Sequence, residues 1–479
     1  MSGLYFTRRD FMQTAAGGVL AAFAGGRTEA GFAQDAPPFP EKPNIVILVA
    51  DDLGWNDVGY HGGDIPTPRI DALVREGLEL DRFYVCPICS PTRAGLLTGR
   101  YPHRFGLRRT VIPPWRDFGL ATDEETLPEV LARAGYARRA CIGKWHLGHS
   151  KAVYHPLHRG FTHFYGHYNG AIDYFTHLRE GELDWHRGFE ACHDTGYATD
   201  LLAREAVRFI EESPATDPFF LYVPFNAPHS PLQAKEDDLK THGFSEEKGR
   251  IPLNKETSYG FGEKGRGNSK RQTYSAMVSA LDAAVGRILD AVDEKGVREH
   301  TLVLFFSDNG GTPKFGGDNA PLRGGKHSVW EGGVRVPAAV RWPRAFGGNR
   351  KVTTLMGYVD ILPTLCGITG ANRTAETPLD GADMSGVLCG RKPAADRVFY
   401  LGGKAVVTRD WKLVKDGLYH VASDPCETKD VAREHPDIVA RLKKERTAFE
   451  ALQSSMRVPP YGEGRKGFKA PEAWRIPRQ

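Results

Sequence analysis

Four continuous apolar runs, each about as long as a β-strand, recur along the first two thirds of the chain. They cover residues 44–50, 137–142, 219–225 and 302–306. Such runs are typical of strands buried on both faces of a parallel sheet. Amphipathic helical patterns lie between and after them, at residues 68–76, 126–134, 200–212 and 272–295. This alternation predicts a doubly wound α/β domain, with a large, mostly parallel sheet flanked by helices.

The pattern changes after about residue 389. Short strand-like pieces at 397–401, 404–408 and 412–415 precede a helical segment at about 436–450, and residues 457–479 are rich in Pro, Gly and basic side chains. We therefore predict a large domain over residues 44–388 that would carry any active site. A smaller α+β domain is predicted over residues 389–479, ending in an extended or partly disordered tail.

Polar side chains directly follow each of the four apolar runs. The four groups are Asp51-Asp52, Gly143-Lys144-Trp145-His146, Asn226-Ala227-Pro228-His229 and Ser307-Asp308-Asn309-Gly310. Ligands of open α/β sheets bind at the carboxyl ends of the strands, so we expect these groups to converge on one site. Each group alone has a simpler explanation as a helix cap or a turn. Together they supply three carboxylates and one amide oxygen, a set that suits Ca²⁺ or Mg²⁺ and suits zinc poorly.

A cysteine begins the segment with the most specific pattern, residues 89–100. Ser90 can cap a helix that has Pro91 at its first position and Gly99 near its end. Cys89 would then lie where a helix N-terminus favours an anion, and Arg93, one turn along, could pair with that anion. A capped helix with an incidental cysteine is the simpler alternative.

The same segment, Cys-Ser-Pro-Thr-Arg-Ala-Gly-Leu-Leu-Thr-Gly-Arg, resembles the signature of Cys-type sulfatases, whose strict form is Cys-x-Pro-x-Arg. Further blocks agree with that family in the family's order: Asp51-Asp52-Leu53-Gly54, Gly143-Lys144-Trp145-His146-Leu147-Gly148, Pro228-His229, Asp308-Asn309-Gly310, Gly324-Gly325-Lys326 and Glu331-Gly332-Gly333. The resemblance covers nearly the whole chain after its N-terminal segment. It implies the alkaline phosphatase-like fold and the hydrolysis of sulfate monoesters.

The resemblance also implies how the site works. In this family a maturation enzyme oxidises the cysteine to formylglycine, and one hydroxyl of the aldehyde hydrate attacks sulfur to form a covalent sulfate ester. The second hydroxyl later expels sulfate. By the same likeness, one Ca²⁺, with Mg²⁺ less favoured, is bound by the modified Cys89 and by four further side chains: Asp51, Asp52, Asp308 and Asn309.

The remaining family positions carry cations and imidazoles. The likeness implies that Arg93 and Lys144 offset negative charge around the aldehyde hydrate. It implies that His146 helps to deprotonate the hydrate, whereas His229 and Lys326 contact the ester oxygen and support the leaving group.

The substrate class is less specific in the sequence. Asn56-Asp57-Val58-Gly59-Tyr60-His61-Gly62, Arg159-Gly160-Phe161 and Asp173-Tyr174 are most similar to the arylsulfatase B type, which acts on sulfated N-acetylgalactosamine. A sulfated carbohydrate of N-acetylgalactosamine or galactose type, or a small aryl sulfate, is therefore the expected substrate. Two alternatives stay open: a phosphodiesterase or phosphonate monoester hydrolase of the same superfamily, and a catalytically silent protein that binds sulfated glycans.

Composition excludes several other classes of protein. With 479 residues, 41% of them apolar and 25% charged, the chain can bury a large core, which argues against a mainly disordered or coiled-coil protein. A net charge of +4 that no helix or arm concentrates argues against a nucleic-acid partner. Seven irregularly spaced cysteines fit neither a small disulfide scaffold nor a paired zinc site. A disulfide between Cys86 and Cys89 is the alternative to maturation of Cys89.

The N-terminus has the features of an export signal. Arg8 and Arg9 precede a weakly apolar Ala/Gly stretch at residues 15–26, and small residues end at Ala33. The segment resembles a twin-arginine signal peptide over residues 1–33, followed by a linker over 34–43. Its apolar stretch is too short for a membrane span. We expect a bacterial protein that the twin-arginine machinery exports to the periplasm or the medium.

Two basic stretches, residues 104–116 and 235–271, could form an entrance for a polyanionic sugar. Solvated loops are the simpler explanation of both.

Overall fold

The computed structural model describes residues 39, 41–107, 110–252, 261–393, 395–454 and 458–477. Within these residues the strands are β1 (Asn44–Ala50), β2 (Leu78–Leu80), β3 (Phe83–Tyr84), β4 (Arg138–Lys144), β5 (His163–His167), β6 (Leu178–Arg179), β7 (Glu182–Leu183), β8 (His186–Arg187), β9 (Glu190–Ala191), β10 (Phe219–Pro224), β11 (Thr301–Ser307), β12 (Ala338–Arg341), β13 (Arg350–Val352), β14 (Met356–Gly357), β15 (Phe399–Gly402), β16 (Ala405–Val407), β17 (Lys412–Val414) and β18 (Gly417–Tyr419). The α-helices of the same residues are α1 (Pro68–Glu76), α2 (Cys89–Thr98), α3 (Leu127–Arg133), α4 (Ala198–Glu212), α5 (Glu236–Thr241), α6 (Lys270–Glu294), α7 (Glu331–Val334), α8 (Ile361–Thr369), α9 (Ser385–Leu388) and α10 (Pro436–Ala451).

A ten-stranded sheet in the order β13-β2-β12-β11-β1-β10-β4-β5-β8-β9 forms the centre of the described chain. Its five central strands, β11, β1, β10, β4 and β5, are parallel, whereas β12 and β8 add to this group in antiparallel orientation. The four apolar runs correspond to β1, β4, β10 and β11, which are four of these five parallel strands. The predicted α/β architecture is therefore confirmed, with a sheet that is parallel at its centre and mixed at its edges.

Side chains of β1 alternate between two hydrophobic cores, one on each face of the sheet. Ile45, Ile47 and Val49 belong to one core, and Val46 and Leu48 belong to the other. This period of two follows from strand geometry, and the unbroken apolar run after Asn44 is explained by helices on both faces. Helices α2, α3 and α8 contribute to the first core, and α1, α4 and α6 to the second.

Two local predictions at the site differ from the structure. Strand β4 extends two residues beyond the predicted end at Ile142, so Lys144 is its last residue rather than part of the group that follows it. Helix α2 begins at Cys89 with Ile88 as its N-cap, and Ser90 does not cap it. Instead the Ser90 hydroxyl donates to the backbone oxygen of His146 at 2.9 Å. That buried carbonyl needs a donor, and this need overrides the usual capping preference of serine.

A second, four-stranded antiparallel sheet, β15-β16-β17-β18, lies with α10 in the C-terminal part. This confirms the smaller α+β region, although its three-residue strand β18 was not predicted. The predicted boundary at 388/389 stays a prediction, because residues 39–479 form one compact unit that contains both sheets.

The ends of the described chain pack against the core. In the predicted linker, Phe39 is buried with its ring centroid 5.1 Å from that of Trp342. In the C-terminal tail, Trp474 is buried and its indole N–H donates to the backbone oxygen of Arg179 at 3.0 Å. The tail is thus anchored to the core at Trp474, and its extended or partly disordered character stays a prediction. The signal-peptide prediction for residues 1–33 lies outside the described residues. No helix of the described chain is long and apolar enough to cross a membrane.

Candidate active site

The polar groups that follow the apolar runs do converge at the carboxyl edge of the central sheet. Asp51 and Asp52 follow β1, and Asp308 and Asn309 follow the neighbouring strand β11. Lys144 ends β4, which lies on the other side of β10. The side chains of all five are at least 95% buried. The predicted convergence is therefore confirmed in position.

Three oxygen atoms in this group are buried without a hydrogen-bond partner among the described residues: Asp51 Oδ1, Asp308 Oδ1 and Asn309 Oδ1. Buried polar atoms without partners are rare in proteins because each loses its hydration without compensation. Asp52 adjoins them, since the Asn309 amide donates to Asp52 Oδ1 at 2.7 Å. Carboxylate and amide oxygens are the ligands of hard divalent cations, so this set fits such an ion.

His229 also lies near these carboxylates. One ligand atom each of Asp51, Asp52 and His229 lie within 4.8 Å of one another. The imidazole Nε2 of His229 is 3.8 Å from Asp52 Oδ2, and its Nδ1 donates to the backbone oxygen of Ser230 at 2.6 Å. Burial and the nearby Lys326 lower the pKa of His229 to about 4.

Buried cations surround the same carboxylates. Arg93 donates from Nε and Nη2 to Asp308 Oδ2 at 3.0 and 2.8 Å, and from Nη1 to the backbone oxygen of Lys144 at 3.0 Å. The Lys144 ammonium pairs with Asp51, and the Lys326 ammonium pairs with Asp52. These partners hold the pKa of Asp51 and that of Asp52 below their usual range, although burial alone would raise both.

Asp308 behaves differently from the other two carboxylates. Burial, followed by the negative charge of Asp51, raises the pKa of Asp308 to about 7 despite its contact with Arg93. A carboxyl group so disfavoured as an anion would be stabilised by a further positive charge beside it. The elevated pKa of Asp308 therefore supports a cation site here, as the three unpartnered oxygens do.

Cys89 lies at the first position of α2, with its thiol buried. Its Sγ is 3.3 Å from Nδ1 of His146. Burial raises the pKa of the Cys89 thiol, despite the nearby Lys144 and Lys326. The unmodified side chain is therefore a thiol rather than the thiolate that a cysteine nucleophile requires. All seven cysteines are free, and the Cys86 thiol donates to the Tyr358 hydroxyl oxygen at 3.1 Å, so the structure does not contain the alternative Cys86–Cys89 disulfide.

The backbone holds two site residues in strained conformations. Asp52 has φ 67° and His146 has φ 53°, a left-handed region that non-glycine residues seldom occupy. Gly170 packs against the His146 ring so closely that a Cβ there would lie 2.4 Å from Cε1. Burial, with added repulsion from Lys144 and Arg93, lowers the pKa of His146 well below its usual value, so the imidazole is neutral at neutral pH.

A cavity of about 480 Å³ opens above Cys89. Cys89, His146, His229 and Lys326 all line it, so it exposes the groups that a substrate would contact. Its other walls come from distant segments and include Thr110, Gly170, Arg179, Phe261, His327 and Tyr461. The cavity therefore brings the predicted site residues together with residues from loops and from the C-terminal tail.

Residues 43–371 match the sulfatase family model, which covers more than half of the chain. The chain belongs to the sulfatase family. The sulfatase is 30% identical to arylsulfatase J of Mus musculus over 92% of this chain and 81% of that protein. It is 32% identical to N-acetylgalactosamine-6-sulfatase of Mus musculus, over 77% and 70%. The predicted activity, hydrolysis of sulfate esters, is confirmed by these relatives.

Solved structures agree. The crystal structure of Ps i-CgsB superposes with a TM-score of 0.76 at 31% identity, covering 86% of this sulfatase and 94% of that chain. The same protein has been solved in complex with k-i-k-neocarrahexaose. Sulfatases of this family generally use formylglycine and a divalent metal, and the buried oxygens described above fit that metal.

Sequence reasoning missed several residues of this site. Thr312 donates from Oγ1 to Asp52 Oδ2 at 3.0 Å, and Arg179 and His327 line the cavity. Thr312 follows the Asp308-Asn309 group by only a few residues, so its position was a usable signal. The sequence contains no such signal for Arg179, because this residue lies in the two-residue strand β6, which is too short for a periodic pattern. The two predicted basic stretches each contribute one of the cavity residues named above, Thr110 from the first and Phe261 from the second. Arg104 of the first stretch pairs with Asp380, and Arg108 and Arg109 lie outside the described residues.

Proposed function

We propose that this sulfatase removes sulfate from a sulfated carbohydrate of N-acetylgalactosamine or galactose type and also hydrolyses small aryl sulfates. Two similarities support this substrate class: the 32% identity to N-acetylgalactosamine-6-sulfatase and the superposition on a protein solved with k-i-k-neocarrahexaose. The narrower likeness to the arylsulfatase B type remains a prediction of the sequence.

One observation carries the mechanism: Cys89 begins α2 at the floor of the cavity, in contact with His146 and beside buried cations. We propose that Cys89 is converted to formylglycine by a maturation enzyme that supplies the oxidant for this thiol-to-aldehyde conversion. The hydrated aldehyde would then supply the attacking hydroxyl and the hydroxyl that later releases sulfate.

Asp51, Asp52, Asp308 and Asn309 would hold the metal, together with the modified side chain at position 89. We favour Ca²⁺ over Mg²⁺, because three carboxylates and an amide supply many protein oxygens, and Mg²⁺ usually retains several waters instead. When bound, the ion would supply Lewis-acid polarisation of a sulfate oxygen.

The chain's own side chains account for the remaining tasks. Arg93 and Lys144 lie beside Asp51 and offset negative charge near position 89. His146 Nδ1 lies 3.3 Å from Cys89 Sγ. It is therefore placed to accept a proton from the side chain at position 89. His229 and Lys326 line the open side of the cavity, where the ester oxygen of a bound sulfate would lie.

We further propose export to the periplasm or the medium through the twin-arginine machinery, on the strength of residues 1–33. That route carries folded proteins, so Cys89 could be modified before export.

The proposal is tested by mass spectrometry of the Cys89 peptide from protein made with and without a maturation enzyme. Each preparation is then assayed on 4-nitrophenyl sulfate and on a phosphate diester. We expect aldehyde mass and sulfate turnover to appear together, with sulfate preferred over the diester and with turnover lost in chelator and restored by Ca²⁺. A confirmed aldehyde without sulfate turnover, or turnover by fully unmodified protein, would contradict it.

A further inference from the structure

A second cavity, of about 890 Å³, adjoins the one above Cys89. The two cavities share Ile88 and His327, so they are contiguous. One side of it is formed by residues 327–330 of the α/β region, including Trp330. The other side is formed by two turns and one helix of the C-terminal sheet region.

Three cations line the C-terminal side of this cavity: Lys404 in the turn between β15 and β16, Lys415 in the turn between β17 and β18, and Arg446 on α10. None of the three pairs with a carboxylate in the described parts of the chain. The one acidic residue of the lining, Asp416, pairs with Lys443 at 2.7 Å. Asp416 interacts more weakly with Arg446 and Lys404 as well, so the cavity wall keeps a net positive charge.

Arg446 also fixes the two lysine-bearing turns. Its Nη1 donates to the backbone oxygen of Lys404 at 3.2 Å and to that of Lys415. The Lys415 amide donates to the Lys404 backbone oxygen at 3.0 Å, so the two turns are joined directly as well. Fixed turns reduce the conformational freedom that ligand binding would otherwise remove.

We propose that this second cavity binds a further sulfate group of the same polysulfated oligosaccharide, one or more sugars away from the ester that is cleaved. The inference rests on the proposed carbohydrate substrate. Lys404, Lys415 and Arg446 supply the charge, and Trp330 supplies an apolar wall for a sugar ring. Because cleavage at Cys89 leaves the second sulfate in place, this subsite acts on binding and not on the chemical step.

The double variant Lys404→Asn with Lys415→Asn, which replaces two cations with neutral side chains, tests the proposal. Both lysines have left-handed backbones, with φ 70° and 56°, and asparagine accepts that conformation readily, so the turns should be retained. The matched control, Arg433→Gln with Lys444→Gln, removes two exposed charges from the same region, away from the cavity lining. The probes are two galactan hexasaccharides of equal length, one sulfated on every sugar and one on its terminal sugar only.

The measurement is competitive inhibition of 4-nitrophenyl sulfate hydrolysis, which does not require that the probes be cleaved. Because exposed ion pairs contribute up to about 1 kcal/mol each, we expect the inhibition constant of the fully sulfated probe to rise by about 5-fold to 20-fold in the double variant. The singly sulfated probe, the KM for 4-nitrophenyl sulfate and kcat should change by less than about 2-fold. Raising the NaCl concentration should weaken inhibition by the fully sulfated probe more in the wild type than in the double variant, because salt screens exposed charges.

Equal effects on both probes, or an equal effect of the control pair, would overturn the proposal. A wild type that binds the two probes equally well would overturn it too. If aldehyde-containing wild type did not hydrolyse 4-nitrophenyl sulfate, the proposed function would fail instead. Calorimetry would then measure the affinity of wild type and double variant for the two probes. The second subsite would be supported if only the fully sulfated probe bound the double variant more weakly, and overturned if it did not.

Discussion

Two clusters of buried charge in this sulfatase use similar side chains for different ends. The catalytic cluster, at the carboxyl edge of the central sheet, consists of six charged side chains: Asp51, Asp52, Asp308, Arg93, Lys144 and Lys326. The Glu331 cluster joins α7 to the C-terminal sheet and consists of Glu331, Arg335, Lys412 and Glu427. In each cluster the formal positive and negative charges balance.

The Glu331 cluster is closed. Lys412 Nζ lies 2.8 Å from Glu331 Oε1 and 3.0 Å from Glu427 Oε1, and the Tyr84 hydroxyl donates to Glu331 Oε2 at 2.9 Å. Burial would raise the pKa of Glu331, but Lys412 and Arg335 hold it below its usual range. Both carboxylate oxygens of Glu331 have a donor. Glu427 Oε1 is buried without a hydrogen bond, but the Lys412 ammonium lies 3.0 Å from it.

The catalytic cluster, so called for its proposed role, adjoins open space. Asp51 Oδ1 and Asp308 Oδ1 have no donor in the described chain, and a cavity exposes Cys89 beside them. Burial of charge is therefore not by itself a sign of function here. What distinguishes the catalytic cluster is a cavity for a ligand next to its unpartnered oxygens.

The largest expected effect separates the clusters by activity. Cys89→Ala should lower sulfate ester turnover by about 10⁴-fold or more, because it removes the side chain that we propose becomes the nucleophile. Its free energy of unfolding should change by less than about 2 kcal/mol, since only one thiol is lost. Cys86→Ala, which alters a neighbouring buried thiol outside the catalytic contacts, is the matched control and should retain most turnover. Comparable losses in both variants would show that the cysteine pair is structural.

The converse effect is expected in the Glu331 cluster. Lys412→Met leaves Glu331 and Glu427 buried together without their shared cation, which should lower the free energy of unfolding by about 3–5 kcal/mol. Folded protein should keep its kcat and KM within about 2-fold. Urea unfolding measures the loss, with the exposed Lys429→Met as control, for which we expect less than about 1 kcal/mol. A loss below about 1 kcal/mol in Lys412→Met would contradict the structural role of the cluster.

These contrasts also indicate what the sequence could predict. The four apolar runs and the polar groups at their ends were found because both signals are local and because parallel strands bring their carboxyl ends together. Asp51 and Asp308, 257 positions apart, could therefore be placed at one site without any contact information.

Features that depend on contacts between distant loops were not predictable. The turns of Lys404 and Lys415 lie beside residues 327–330 only because the C-terminal sheet packs there, and no period in either segment indicates it. Ser90 shows the same limit on a smaller scale: its capping pattern is real, yet the buried carbonyl of His146 takes its hydroxyl instead. Tertiary demands of this kind override local propensity.

A smaller effect, measured as stability, tests the open character of the catalytic cluster. Ca²⁺ at about 100 times its Kd should raise the free energy of unfolding of the wild type by about 2.7 kcal/mol, because it binds only the folded protein. Asn309→Leu removes one of the unpartnered oxygens and should reduce this increment, whereas Lys412→Met should keep it in full. Denaturant unfolding with and without Ca²⁺ measures the increment. An increment that Asn309→Leu leaves unchanged would place the ion elsewhere.

The smallest effect concerns how the backbone supports the catalytic cluster. Gly170→Ala would place a methyl group 2.4 Å from Cε1 of His146, so the ring must shift and its contact with Cys89 would change. Gly170 does not have a left-handed backbone, so the effect is steric and the fold should persist. We expect kcat to fall by about 10-fold, with the unfolding free energy lowered by about 1 kcal/mol. Gly347→Ala, where a Cβ meets no atom within 4 Å, is the matched control and should leave both unchanged. If Gly170→Ala instead lowered the free energy of unfolding by several kcal/mol with kcat intact, the tight contact would stabilise the fold. The residues around His146 would then resemble the structural Glu331 cluster rather than the catalytic cluster.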